Sequence, residues 1–360
     1  MHTGLDFNWS DECACPRQLA FQDATKSYIT GRQLDEAFVL APLSVGNGGM
    51  AWSGDGQVLY TVDAFTRLIR MEFASKLRPS SNREITPQEW DGRVEKLVGI
   101  WLSPNESQIY CLTLLRTSRE TALWCVSADG NEARRILSGE RLYLTDDVQR
   151  TERELVVTGR TEEPGTVVCT NVSTGVRTEF QVSTEHIGMP TMSPCGKYCV
   201  YLTTSETGDH ELNLYDVATR HSEFLIHASY ASWSPDSRYL AAVLADVELV
   251  LIDRESEFAS TVLSRNDSGT RLARHISPSP PLWSSDGRWI VFRLSQPRKL
   301  SHPQLMRWIA AGQTVYGSEA ESDEWCNVDP RTFVLNVKDK SIIPLPIASD
   351  RWAWRPKPVT

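Results

Sequence analysis

Three of the seven histidines fall at related spacings. His186 lies six residues before Met192, His227 six before Trp233, and His275 eight before Trp283. Three imidazoles converging on one point would hold a divalent cation (manganese, zinc or calcium) and leave coordination positions open for water or substrate. The plainer alternative is that histidine is a polar residue tolerated at a strand entrance, with its ring hydrogen-bonded to a neighbouring carbonyl. The corresponding positions elsewhere are Gly46, Lys96 and Ala348, so any ring of imidazoles is partial. Arg271 and Arg274 stand just before His275 and would suit an anionic ligand. An acidic tract (Glu319, Glu321, Asp323, Glu324 and Asp329) could donate a carboxylate, dock a cationic partner, or simply keep a surface excursion solvated.

Other chemistries lack their motifs. There is no Gly-x-Ser-x-Gly nucleophile elbow and no Walker lysine loop. Gly46-Asn-Gly-Gly-Met-Ala51 only faintly echoes a dinucleotide loop and reads as a connection between strands. Eight cysteines are scattered along 360 residues, most inside apolar runs such as Ile109-Tyr-Cys-Leu112 and Leu123-Trp-Cys-Val126. That placement predicts buried thiols in a reducing compartment and gives sulfur-bound zinc little support. A net charge of −9 argues against a duplex-binding surface. No apolar run reaches the length of a membrane span, and the amino terminus has neither a basic start nor an apolar stretch. The expectation is a cytoplasmic monomer with no nucleic-acid or membrane partner.

The elements that must position these residues come from a repeat. The copies are Trp52-Ser-Gly-Asp-Gly-Gln-Val-Leu59, Leu102-Ser-Pro-Asn-Glu-Ser-Gln-Ile109, Met192-Ser-Pro-Cys-Gly-Lys-Tyr-Cys199, Trp233-Ser-Pro-Asp-Ser-Arg-Tyr-Leu240 and Trp283-Ser-Ser-Asp-Gly-Arg-Trp-Ile290. A degenerate copy runs from Val148 to Leu155. A large apolar residue ends an inner strand and packs between neighbouring sheets, a tight turn follows, and a buried strand comes next. Pro fixes φ, Asp accepts a backbone N–H, and Gly tolerates φ > 0. Copies 41 to 50 residues apart, each with four strand-like runs and no helical periodicity, predict an all-β propeller.

The Trp-Ser-Pro-Asp-Gly turn and its following aliphatic-aromatic strand resemble the repeat of TolB-like propellers. The unit also occurs in the propellers of prolyl oligopeptidases, tricorn-type proteases and oligogalacturonate lyases. The resemblance covers roughly residues 45 to 360 and is confined to the repeat. No Gly-His and Trp-Asp pair of WD repeats is present. Oligogalacturonate lyases would imply a divalent metal on the substrate carboxylate while a base removes the α-proton. Carried over, the metal ligands are His186, His227 and His275, Arg271 or Arg274 meets the carboxylate, and Lys96 or His302 is the base.

Arg351-Trp-Ala-Trp-Arg-Pro356 reads as an inner strand without a blade, and the missing outer strands lie at Arg17-Gln-Leu-Ala-Phe21, Lys26-Ser-Tyr-Ile29 and Glu36-Ala-Phe-Val-Leu-Ala41. The expectation is therefore a single domain over 1–360, a seven-bladed β-propeller closed by pairing of its terminal strands. Six blades with an amino-terminal extension is the alternative. An insertion at 295–330 would form a lid, with a helix starting at Ser301 or His302 and stopping at Gly312. Two functions follow. In one, the channel-mouth face binds a small anionic ligand or a protein partner without chemistry, through Arg271, Arg274 and Glu324. In the other, the same face carries a metal-dependent lyase acting on a carboxylate-bearing small molecule.

Overall fold

A computed structural model describes residues between 19 and 354. Outside the described residues lie 1–18, 23–26, 31–36, 42–48, 74–78, 117–120, 139–142, 151–154, 245–247, 264–274, 277–280, 300–324, 346–350, 355–360 and a few single positions or pairs in turns. The chain is an all-β propeller of antiparallel sheets.

The strands follow the repeat. The first are β1 (Leu19–Gln22), β2 (Ser27–Thr30) and β3 (Ala37–Ala41). Next come β4 (Met50–Trp52), β5 (Val58–Asp63), β6 (Arg67–Glu72) and β7 (Ser81–Glu84), then β8 (Val94–Leu102), β9 (Gln108–Leu115), β10 (Thr121–Ser127) and β11 (Ala133–Ser138). The degenerate copy yields β12 (Tyr143–Arg150), β13 (Leu155–Arg160), β14 (Thr166–Asn171) and β15 (Arg177–Gln181). These are followed by β16 (Gly188–Met192), β17 (Tyr198–Thr204), β18 (His210–Asp216) and β19 (His221–His227). After them run β20 (Tyr230–Trp233), β21 (Tyr239–Leu244), β22 (Glu248–Asp253) and β23 (Phe258–Leu263). The last group is β24 (His275–Ile276), β25 (Leu282–Trp283), β26 (Trp289–Lys299), β27 (Trp325–Asn336) and β28 (Ile342–Pro344), and β29 (Arg351–Trp354) ends the series. Each group pairs as one sheet, and β29 joins the first in the order β29-β1-β2-β3.

Two compact units result. Among the described residues, one takes in 19–226 with 351–354 and holds five sheets; the other takes in 227–345 and holds the β20–β23 and β24–β28 sheets. In the first, Leu19 pairs with Trp354 and Phe21 with Trp352, so the two ends of the chain share a sheet as expected. In the second, β26 and β27 extend into the insertion, with Gln296 opposite Val328 and Lys299 opposite Trp325. The helix expected from Ser301 to Gly312 lies outside the described residues.

The repeat's turn is built around its serine. In all five copies the Ser N–H donates to the carbonyl five residues on (Ser53 to Val58, Ser234 to Tyr239), and the N–H of that residue returns to the Ser Oγ at 2.8–3.1 Å. In four copies the hydroxyl donates to the residue two further on: Asp55, Asn105, Asp236 or Asp286, at 2.5–2.7 Å. In the third copy Cys195 takes that place, with its Sγ 3.4 Å from Ser193 Oγ. The fourth residue of each turn needs positive φ: 67° at Gly56, 59° at Glu106, 71° at Gly196, 63° at Ser237 and 68° at Gly287. All five serines are buried, so each turn closes with its polar groups satisfied.

Packing runs from sheet to sheet. Tyr60, Val62 and Leu68 of β5 and β6 share a cluster with Leu97, Ile109 and Trp124 of the next sheet. Val167 and Cys169 of β14 meet Met192, Cys199 and Tyr201. In the smaller unit, Trp283 packs against Ala241, Val243, Ile290 and Phe292, and its indole N–H donates to the Ser232 carbonyl at 3.2 Å. The repeat's large apolar residue thus sits in the seam, as its position implies. Fully burying such a side chain is worth about 1.5–3 kcal/mol.

Candidate functional site

The best-defined cluster of exposed and charged groups lies where the β5–β6 hairpin meets β8. Asp63 and Arg67 pair across the hairpin, leaving a loop of Ala64, Phe65 and Thr66. Ala64 (φ 50°) and Phe65 (φ 67°) both stand in the left-handed region, where neither side chain is at home. Turns that need two such residues normally use Asn-Gly or Asp-Gly. The loop is held from outside: the Leu97 N–H donates to the Phe65 carbonyl at 2.6 Å. Phe65 is 38% exposed, and the Lys96 ammonium lies 5.9 Å from its ring centroid. A bulge in β8 between Val94 and Lys96 accompanies this placement.

The flank of the loop is an ion-pair network. The Arg67 guanidinium bonds the buried Asp63 carboxylate and lies 3.8 Å from Glu84. Thr86 donates its hydroxyl to Glu84 at 2.8 Å and accepts the Leu68 N–H at 2.9 Å. Arg67 is thus neutralised and fixed. Among the described residues Lys96 makes no ion pair, and its ammonium stands beside the exposed Phe65 ring. An ammonium over a ring face is worth roughly 0.5–1 kcal/mol at an exposed site.

The histidines fall at three different kinds of position. His186 is exposed in the connection between β15 and β16. His227 is the exposed last residue of β19, and His275 opens β24, opposite Ser295. His186 belongs to the larger unit, His227 and His275 to the smaller. Among the described residues no three His, Cys, Asp or Glu side chains are grouped to hold a metal ion. Arg271, Arg274, His302 and Glu324 lie outside the described residues. Lys96 is in strand β8 rather than in a connecting loop.

The thiols follow the sequence reading in part. Cys111, Cys125, Cys169 and Cys199 are buried and unbridged, whereas Cys195 is exposed. Burial pushes Cys169 up to about 12 and raises Cys111 and Cys199 well above the usual thiol range, so these sulfurs are poor nucleophiles.

Sequence reasoning passed over Phe65. Its signal was Asp63-Ala-Phe-Thr-Arg67, a bulky aromatic between two strands where turn-forming residues belong.

No protein-family model matches the chain, and no curated protein matches it in sequence. Solved structures do. An oligogalacturonate lyase in complex with manganese aligns with a TM-score of 0.53 at 16% identity, over 75% of this chain and 79% of that one. An oligogalacturonate lyase from Vibrio parahaemolyticus gives 0.54 at 13% identity, over 75% and 80%. A candidate TolB from Agrobacterium tumefaciens gives 0.47 at 16% identity, over 75% and 94%. At these identities the likeness is one of fold.

Proposed function

We propose that the chain is a non-catalytic binding module whose loop-bearing face takes a small anionic ligand or the acidic surface of a protein partner. The observation that carries this reading is Phe65, displayed in a left-handed loop with the Lys96 ammonium above its ring. Strained backbone persists where its surroundings hold it, and it concentrates at binding and switch sites. An exposed ring beside a cation that makes no ion pair among the described residues suits a ligand with an apolar face and a carboxylate. The β1–β29 pairing, which joins strands from both ends of the sequence in one sheet, fits the all-β propeller class. The four buried thiols favour a reducing, cytoplasmic setting.

Calorimetric titration with short oligogalacturonates, citrate and a polyglutamate peptide tests the binding. At least one probe is expected to bind, with Phe65→Ala and Lys96→Ala each weakening it about tenfold, the equivalent of about 1.4 kcal/mol. Binding that both variants leave unchanged, or none with any probe, overturns the assignment.

The manganese-bound fold neighbour favours a second reading, a metal-dependent lyase using His186, His227 or His275. Its test is ultraviolet absorbance of an unsaturated product from oligogalacturonate with added manganese. A signal lost in the His186→Ala, His227→Ala double variant would replace the binding-module reading.

A further inference from the structure

The groups of the Phe65 site continue in a line along β8. The Phe65 carbonyl is anchored at the Leu97 N–H, and the ammonium beside its ring comes from the preceding residue, Lys96. Arg93 stands three residues earlier, just before the strand begins. Its carbonyl accepts the Arg116 N–H at 2.9 Å, and Val94 pairs with Leu115, so the two arginines sit side by side at one end of the β8–β9 hairpin. Both are exposed, and among the described residues neither makes an ion pair. At about 3.3 Å per residue, Arg93 lies about 10 Å from Lys96 along the strand, and Arg116 lies about 5 Å to its side.

Acids share this end. Asp63 and Glu84 are taken up by Arg67, but Asp91 and Glu95 are exposed close to Arg93. A uniform polyanion would be drawn by three cations here and repelled by two carboxylates, so charge alone holds it weakly and the ring has to contribute. A ligand that covers the ring and also reaches Arg93 must span more than the distance between Lys96 and Arg93. An extended peptide does so in about four residues. Its alternate side chains share one face about 7 Å apart, so the pattern Phe-x-Glu-x-Glu offers an apolar group and two carboxylates in the order Phe65, Lys96, Arg93.

We propose that this line is the docking surface for an extended acidic segment of a protein partner that carries one apolar side chain. The apolar side chain covers the Phe65 ring, and the carboxylates meet Lys96 and the Arg93–Arg116 pair. The inference rests on the binding-module reading and narrows its ligand to a protein.

Calorimetric titration of the full-length chain tests it, with the capped synthetic peptide Phe-Ser-Glu-Ser-Glu, its Ala-Ser-Glu-Ser-Glu analogue and citrate as probes. The first peptide is expected to bind at least about tenfold more tightly than either of the others. Arg93→Glu, an exposed change checked by circular dichroism, weakens that peptide at least about tenfold. A charge swap then shows direct contact: Phe-Ser-Glu-Ser-Lys binds Arg93→Glu more tightly than it binds the parent chain. Citrate that binds as tightly as the peptide, and loses affinity in Phe65→Ala and Lys96→Ala, overturns this inference and leaves the binding-module reading standing. Peptide binding that Arg93→Glu leaves unchanged, or a swap that recovers nothing, overturns it as well. No binding of any probe overturns both.

Discussion

At the residue scale, the buried serine of each turn is a structural hub whose loss is expected to be costly. Ser234 is 1% exposed, donates to Asp236 and accepts the Tyr239 N–H. Ser234→Ala leaves that amide and carboxylate short of a partner and should destabilise by about 1–3 kcal/mol in urea unfolding. Ala64 argues the opposite way. With φ at 50° it pays for its side chain in strain, and Ala64→Gly should be neutral or stabilising by up to about 1 kcal/mol. The thiols give a chemical check. Peptide mapping after maleimide labelling should find Cys195 modified in the native protein, and Cys111 and Cys199 only after unfolding. Asp253 sets a pH dependence. The Arg238 guanidinium bonds both its carboxylate oxygens, at 3.3 and 2.9 Å, and holds it below the usual carboxylate range. Its ionised form therefore stabilises the fold above the ordinary carboxylate pKa of about 4, and that contribution disappears as pH falls through the lower folded value. Acid unfolding of Arg238→Ala should accordingly show a shallower loss of stability below pH 4 than the parent chain.

At the element scale, the hairpin turns were legible because Ser, Asp and Gly recur at fixed offsets, each with a conformational reason. The inward strands were legible because their apolar runs are continuous, as in Ile109-Tyr-Cys-Leu112. What stayed hidden were contacts between elements that no local pattern encodes. Gly165 is an example. At φ 66° it lies so close to the Ser183 carbonyl that an added Cβ would stand 1.8 Å from that oxygen. Gly165→Ala should therefore cost several kcal/mol, beyond the usual penalty of about 1–2 kcal/mol for left-handed backbone, and calorimetry would register it as a lowered melting temperature. The Phe65–Lys96 contact escaped notice for the same reason: it joins a hairpin tip to a different sheet, brought together by the Leu97-to-Phe65 hydrogen bond and the shared apolar cluster. The histidine spacing was visible, yet related offsets in sequence led to a loop, a strand end and a strand start.

At the scale of the whole molecule, neighbouring sheets within a compact unit share packing, so losses should propagate inside that unit. Trp283 bridges β25 to the β20–β23 sheet through both packing and its bond to the Ser232 carbonyl. Its replacement by alanine should cost about 3–5 kcal/mol. Hydrogen exchange would show faster opening of β20–β23 as well as of its own sheet, whereas a purely local defect would leave β20–β23 protected.

The strand pair β1–β29 has a temporal implication. Residue 19 meets residue 354 in register, so β1 leaves the ribosome long before the strand it pairs with. Until then β1 has a missing neighbour and an unoccupied edge. Closing so long a loop costs little more than closing one half its size, about 0.6 kcal/mol per doubling, so the penalty falls on waiting time far more than on final stability. The nascent chain is therefore most exposed to wrong pairing along its first strands, and a permuted chain that places 351–354 directly ahead of β1 should refold faster at nearly unchanged stability.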